Sequence, residues 1–308
     1  MIYDFIIIGG GPAGTTAGIY AARKKLNGLL ISRDFIGQVG KAFFVENYPG
    51  LEDVKGLDLA KKFEKHLRKF RIEIHEGEGA SRIFRKEDGN FEIKSKKGKN
   101  YLTRAIIIAT GRDPRPLEIP GEKEFLGKGV SYCTTCDGPL FQDKDVAVIG
   151  GGNAGFGAAL ELARYCSKVY ILHHGPEPKA DEIAQERVKA VKEIELFLNA
   201  EIKEIKGQDF VKSIIYQDLK TKKQIEIFVQ GVFVQIGSIP ATGFVKDLVD
   251  FNKKDEIKID PRTCQTKTPG LFAAGDVTDV PVKQIVVAAA EGAKAALSAY
   301  EYIQKLEK

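Results

Sequence analysis

The 308 residues carry 47 Lys and Arg against 42 Asp and Glu, a net charge of +5, with 43% hydrophobic and 29% charged residues. That is an ordinary globular balance with length for one large or two medium domains. It argues against a disordered chain, and the small basic excess, spread along the sequence, argues against a nucleic-acid partner.

No apolar run reaches the length of a membrane span, so no membrane association is expected. Residues Ile2 to Ile8 are apolar but lead directly into Gly9, without a basic n-region or a cleavage site. They predict a first strand and not a signal peptide. With only four cysteines, the expected location is a reducing cytoplasm, where a CxxC pair is catalytic rather than structural.

Ile6-Ile7-Ile8 has the continuous apolar character of a parallel strand buried on both faces. It delivers Gly9-Gly10-Gly11-Pro12-Ala13-Gly14, a GxGxxG sequence, and then a helix-compatible run from about Ala13 to Arg23. Strand, glycine turn and helix together are the context that dinucleotide binding requires. Gly9 permits the tight turn, Gly11 lets the backbone approach a pyrophosphate, and Gly14 lets helix and strand pack closely. The helix start adds free N–H groups. The next strand is Gly28 to Ser32. Asp34, just beyond it, is a candidate for a ribose hydroxyl, with a loop ion pair to Arg33 as the equal alternative. A glycine-rich loop covers 36–50. Leu57 to Phe70 predicts a helix with Leu59, Phe63 and Leu67 on one face. Strands follow at 72–75, 80–85 and 91–96, the last two joined by an Asp88-Gly89-Asn90 hairpin turn. Lys96-Lys97-Gly98-Lys99 reads as a solvated turn, and His66 and His75 as structural. Tyr101 to Ile108 returns to the sheet and ends at Ala109-Thr110-Gly111, a second backbone edge for a ligand.

Cys133-Thr134-Thr135-Cys136-Asp137 comes next. Two cysteines at this spacing open and close a disulfide by thiolate exchange, and the setting lowers the pKa of the attacking thiol. An adjacent Asp can deliver or remove the proton. A zinc site would need a second ligand pair. Cys166 and Cys264 stand alone and no HxxxH occurs, so no metal is expected. Cys166 falls within a predicted helix as a small buried hydrophobe.

Val146 to Ile149 is another buried strand. It opens Gly150-Gly151-Gly152-Asn153-Ala154-Gly155, again GxGxxG, and a helix to about Tyr165. A strand at 168–172, a helix at 181–192 and a meander turning at Gly207 and Lys222-Lys223 lead to Gly231 through Gly237. The order of the first half has thus occurred twice, which predicts two bound dinucleotides. Gly270 to Asp276 is a further strand ending in Gly275-Asp276, where Asp276 can accept from a ribityl hydroxyl. An Ala-rich helix runs from about Gln284-Ile285 to Leu306.

Glycine motifs at 9–14 and 150–155, Glu46-Asn47-Tyr48-Pro49-Gly50, Ala109-Thr110-Gly111, Cys133 to Leu140 and Phe272 to Val277 are together specific. Through them the whole chain resembles the low-molecular-weight thioredoxin reductases, and most the flavoprotein portion of alkyl hydroperoxide reductase F. The resemblance implies an α/β fold of two Rossmann-like dinucleotide-binding domains of three-layer ββα type, the second inserted into the first. Residues 1–113 and 244–308 would bind FAD, and 114–243 would bind NAD(P)H and carry the CxxC. FAD is expected at the glycine turn, Gln38, Asn47, Thr110, Gly111, Asp276, Gln284 and Ile285. Cys136 would take electrons from the flavin, Cys133 would attack the partner disulfide, and Asp137 would manage the proton. The family is homodimeric and its domains rotate relative to one another. Its partner would be thioredoxin or a glutaredoxin-like disulfide protein. The counterpart of Cys264 carries no chemistry.

NADPH-dependent members follow the second-domain strand with His-Arg-Arg and a further Arg that bind the 2′-phosphate. Here the run is His173-His174-Gly175-Pro176-Glu177-Pro178-Lys179-Ala180, without an arginine. Histidines and one Lys do not reproduce the bidentate fork. NADH is therefore favoured over NADPH, with His173, His174 and Lys179 as nucleotide-side candidates. The NADH-using relative places a Glu near His173, and this chain has none. A ferredoxin-dependent flavin thioredoxin reductase and a flavin redox sensor with little turnover are the alternatives. A flavin reductase that hands electrons to ferredoxin ranks below them, because that branch lacks the CxxC.

Overall fold

The structure, a computed structural model, describes residues 2–42, 44–45, 47–52 and 54–306, with Phe44 by its backbone alone. Glu46, the first residue of the Glu-Asn-Tyr-Pro-Gly loop motif, lies outside the described residues. The chain divides into two compact units, Met1–Asp113 with Ile239–Lys308, and Pro114–Ser238 between them. The inserted unit ends at Ser238, before the expected junction at 243/244.

In the first unit, β1 (Ile2–Ile8), β2 (Gly28–Ser32), β3 (Glu73–Glu76), β4 (Ala80–Arg85), β5 (Phe91–Ser95) and β6 (Asn100–Ile108) are joined by α1 (Pro12–Arg23) and α2 (Gly56–Leu67). The parallel strands run β3-β2-β1-β6, and β6 continues into antiparallel β5 and β4. The run Ile6-Ile7-Ile8 is apolar throughout because alternate side chains enter two different cores. Ile7, Leu30 and Ile107 pack with Ala17 and Leu67 on the helix side. Ile6, Ile8, Leu29 and Ile106 pack with Phe91, Ile93 and Val277 on the other.

The inserted unit repeats this plan. It contains β7 (Val130–Ser131), α3 (Thr134–Asp137), β8 (Asp145–Ile149), α4 (Asn153–Leu162), β9 (Lys168–Leu172), α5 (Glu182–Lys189), β10 (Ile194–Phe197), β11 (Ala200–Gly207), β12 (Val211–Asp218), β13 (Gln224–Phe228) and β14 (Gly231–Val234). Its parallel sheet runs β7-β14-β8-β9-β10, and β11-β12-β13 form a separate antiparallel meander. Val146, Val148 and Ile171 face the helices with Phe156 and Leu162, whereas Ala147, Ile149 and Leu172 face the meander with Ile205, Ile214 and Tyr216. Helices, parallel sheet and meander form three layers in each unit, so the chain has the α/β, doubly Rossmann-like fold. The first unit is completed by β15 (Leu271–Ala273), parallel to β6, and α6 (Ile285–Leu306).

Several helices are shorter than periodicity suggests. α2 stops at Leu67 because Phe70 N–H turns back onto the Leu67 carbonyl before the chain enters β3. α4 stops at Leu162, which leaves Cys166 outside the helix. Its N–H still reaches the Leu162 carbonyl and its side chain is buried in the helix-side core. α5 spans less than the predicted 181–192, with Asp181 as its N-cap residue. Among the described residues no helix is long and apolar enough to cross a membrane.

Ile107 is fully buried. Ile107→Ala is expected to destabilise the first unit by about 2–5 kcal/mol, read as a shift of its transition in urea unfolding.

Candidate functional site

The two glycine turns are built alike. At Gly9, with φ of +116°, a Cβ would overlap the Ala109 carbonyl. At Gly150, with φ of +132°, it would overlap that of Gln235. Only glycine allows β1 and β8 to end so close to the strands beside them. Matching hydrogen bonds fix both ends: Gly9 N–H to Ile31 O at 2.8 Å and Gly150 N–H to Leu172 O at 3.0 Å. A Cβ on Gly14 or Gly155 would overlap the carbonyl of Gly9 or Gly150, so each helix lies directly on its turn. By contrast, a Cβ on Gly11 or Gly152 would meet nothing within 4 Å. Those two residues N-cap α1 and α4 without a side-chain cap. Pro12 occupies the first turn of α1, where its missing N–H costs nothing, and Ala13 is buried beneath it. Each glycine turn could therefore receive an anion.

In the first unit an array of separate hydrogen bonds ties down the other predicted FAD residues. Asn47 Nδ2 donates to Gln284 Oε1 at 3.1 Å, just before α6 begins at Ile285. Gln38 Nε2 donates to Arg112 O at 2.7 Å, and Thr110 Oγ1 to Ala241 O at 2.8 Å. Gly111 and Gly275 turn with φ of +63° and +78°. The Gly275 N–H donates to Glu291 at 2.7 Å. Burial raises the Asp276 pKa against the pull of Lys283 and Arg112. No protein donor reaches its carboxylate among the described residues, which suits a hydroxyl-bearing ligand.

Sequence reasoning missed the charges that hold this array. Glu256 Oε1 receives Arg112 Nη1 at 2.9 Å and Lys283 Nζ at 3.4 Å. Burial alone would raise the Glu256 pKa, but Asn252 and the two cations outweigh it and hold it below the usual range. Lys283 also donates to the Thr278 carbonyl. Asp34 makes the loop ion pair that was its alternative reading. Its Oδ1 accepts the Ile36 and Gly37 N–H groups and its Oδ2 pairs with Arg33 at 3.2 Å. Burial pushes its carboxyl up, but the Gly37 N–H and the Arg33 guanidinium carry it below its ordinary value.

In the inserted unit, Asn153 and Asp181 exchange two hydrogen bonds of 2.8 and 2.7 Å, and Lys179 N–H donates to Gly151 O at 2.7 Å. The 173–181 segment therefore lies along the second glycine turn, with Ala154, His174 and Lys179 exposed. The His173 ring packs against Gly151. Its Nε2 is buried and has no hydrogen-bond partner among the described residues. Burial lowers the His173 pKa; a backbone bond to Glu177 opposes this, and the Lys179 charge adds to it.

The redox turn belongs to the same unit. Cys133 and Cys136 form a disulfide with Cα atoms 5.3 Å apart. Cys133 N-caps α3, its Sγ accepting the Cys136 N–H at 3.2 Å. Cys133 is buried and Cys136 exposed. Asp137 follows on α3, and its Oδ2 accepts the Ser131 hydroxyl at 2.6 Å. Ser131 Oγ also accepts the Cys133 N–H at 3.0 Å. Ser131, unmarked in the sequence, thus joins the predicted acid to the first cysteine. Burial pushes the free thiols of Cys166 and Cys264 up to about 11 and about 12, which leaves them inert. No cluster of His, Cys, Asp and Glu among the described residues is arranged to hold a metal. His75 bonds Tyr101 and Glu73, each at 2.8 Å, away from these sites.

Comparison with known proteins agrees with this geometry. The pyridine nucleotide-disulphide oxidoreductase family model matches residues 3–292. The chain is 40% identical over 98% of its length to a Bacillus subtilis protein named NADH dehydrogenase and to alkyl hydroperoxide reductase F of Escherichia coli. It spans 58% of the length of each of these two relatives. Among solved structures it is similar to Lactococcus lactis thioredoxin reductase, with a TM-score of 0.90 and 37% identity over 98% of this chain and 99% of that one.

The two kinds of glycine separate experimentally. Gly9→Ala is expected to lower the melting temperature of the flavin-free protein, because the new methyl collides with Ala109. Gly11→Ala should leave that temperature unchanged and weaken FAD retention on gel filtration.

Proposed function

As the chain belongs to the pyridine nucleotide-disulphide oxidoreductase family, we propose that it is a thioredoxin reductase-type enzyme. It would pass electrons from NADH through FAD to the Cys133–Cys136 disulfide, and on to a small thioredoxin- or glutaredoxin-like disulfide protein. The observation that carries this reading is the closed Cys133–Cys136 pair, with Asp137 and Ser131 hydrogen-bonded beside it. Family membership implies FAD and a nicotinamide nucleotide. The first unit, with Gly9 to Gly14, Asn47, Thr110, Asp276 and Gln284, is the one we assign to FAD, and the second, with Gly150 to Gly155, to the nucleotide. Homodimeric assembly and a cytoplasmic location go with this reading.

When bound, FAD supplies a carrier that accepts two electrons as a hydride and returns them to a disulfide. The chain's own residues do the rest. Reduction of the pair consumes two electrons and, with its protons, leaves two thiols. The Cys133 thiolate then attacks one sulfur of the partner's disulfide, and Cys136 displaces the partner as a dithiol and restores the bond. Asp137 is the proton donor and acceptor for these steps, held in place by Ser131. Asp137→Asn is expected to lower disulfide turnover by about 10²–10⁴-fold. Ser131→Ala should cost less, and both should leave stopped-flow reduction of the flavin by NADH at the wild-type rate.

Cysteine roles are tested by trapping. A Cys136→Ser protein should hold a partner through Cys133. Capture through Cys136 in a Cys133→Ser protein instead would reverse the two roles.

The preference for NADH rests on the stretch from His173 to Lys179. It has no arginine, so no bidentate fork for a 2′-phosphate is present in it. A relative of the same 40% identity is named NADH dehydrogenase. NADH should reduce the flavin more efficiently than NADPH. Placing arginines at His174 and Lys179 should raise NADPH efficiency by about tenfold or more, the scale of one or two charge-assisted hydrogen bonds.

A further inference from the structure

One buried acid grips the redox turn without belonging to it. Glu161 lies on α4 and is 3% exposed. Its Oε2 accepts the Thr134 hydroxyl at 2.8 Å and the Thr135 hydroxyl at 3.3 Å. These are the residues between the two sulfurs. The Tyr165 side chain, four residues on, faces the same carboxylate. A Cβ on Gly138 would come within 2.9 Å of the Tyr165 hydroxyl. Glu161 therefore holds the turn ahead of Cys136 through both threonines.

A glutamine would accept the same hydroxyls without the cost of burying a charge, several kcal/mol per ion. The charge is thus the feature that needs a reason. The charged and titratable groups that act on it are Arg164 and Tyr165, and the two sulfurs flank the threonines it holds. A fixed negative charge disfavours a neighbouring thiolate. A dithiol whose thiolate is not stabilised is the stronger reductant.

We propose that Glu161 is a positioning residue for the Cys133–Cys136 couple. It orients the turn through Thr134 and Thr135, and its charge keeps the opened pair strongly reducing. This rests on the redox role given to that pair above. Opening the bond takes two electrons, here from dithiothreitol, which closes to its cyclic disulfide. The two sulfurs take up the two protons that dithiothreitol releases.

The test equilibrates the full-length, FAD-loaded protein in dithiothreitol mixtures of set ratio. Cys133 and Cys136 thiols are then alkylated and counted by mass. In Glu161→Gln the equilibrium should move about tenfold towards the dithiol, about 30 mV more oxidising. The pH at half-maximal alkylation rate should fall with it. Glu161→Asp, which keeps the charge, should stay near the wild type. A purely structural Glu161 would move neither readout in the Gln variant, and unchanged values overturn the proposal. Arg164→Gln, at an exposed position, reads the same field in the opposite direction and should make the pair more reducing. It decides the matter if Glu161→Gln does not fold: no shift in that variant counts against the proposal. A wild-type pair that fails to open and close at all would instead overturn the function proposed above.

Discussion

One close backbone approach in each unit governs most of what surrounds it. Where β1 ends, Gly9 passes the Ala109 carbonyl with no room for a side chain, and Gly150 does the same against Gln235. That contact sets the height at which two neighbouring parallel strands stop, and therefore where α1 and α4 begin. Thr110 and Gly111 follow Ala109 directly, so their place at the first glycine turn is a consequence of the same contact. In the inserted unit, Gln235 Nε2 donates to Tyr132 O at 3.3 Å, immediately before Cys133. The second glycine turn and the redox turn are thereby referenced to one residue.

Buried carboxylates supply the remaining order. Glu122 is 2% exposed and accepts the N–H groups of Leu117 and Glu118 and the Tyr132 hydroxyl, each at 2.7 Å. Glu256 collects Asn252, Arg112 and Lys283. Glu161 collects hydroxyls from the redox turn. Glu256 and Glu161 join segments far apart in the chain, Glu122 ties together 117–132, and each is satisfied by several donors, as a buried charge must be. They differ in electrostatics. Paired cations hold Glu256 below its ordinary value, whereas Glu161 and Glu291 stay above theirs because burial outweighs the donors they have.

These facts explain what was legible in the sequence. Strands at 28–32, 80–85 and 168–172 and the start of α6 at Ile285 appear where predicted, because their apolar runs and flanking turn residues report burial that is local to each element. The glycine turns were legible for the same reason: their constraint lies within six consecutive residues. Asp34 was half legible, since a carboxylate after a strand fits a ribose and a loop ion pair equally, and only the folded loop shows that Ile36, Gly37 and Arg33 claim it. Ser131, Glu161 and Glu256 left no signal. Their roles are made by partners on other elements, and no periodicity encodes a hydrogen bond from Thr134 to a helix beyond the next strand. Cys166 was misplaced because helix propensity continues past Leu162 while the chain turns to enter β9.

Comparing the two copies of the fold shows how one scaffold carries different chemistry. In the first unit the edge slot beside β6 is filled by β15, paired in parallel from Leu271 to Ala273, and the chain leaves it through Gly275 to Asp276. In the second, the slot beside β14 is filled by β7, paired in parallel at Val130 and Ser131, and the chain leaves it through Tyr132 to Cys133. Both strands deliver their reactive or ligand-facing residue at the carboxyl end of a parallel sheet, where doubly wound folds place their sites. The second copy also makes room for its redox segment. β6 runs unbroken from Asn100 to Ile108, but its counterpart is split into β13 and β14. At the start of β14, a Cβ on Gly231 would come within 2.6 Å of the Phe141 ring, which stacks edge-on against Phe233 with centroids 5.3 Å apart. Phe141 closes the segment that begins at Cys133. Splitting the strand is thus the structural condition for anchoring a disulfide turn on a sheet that otherwise repeats the first.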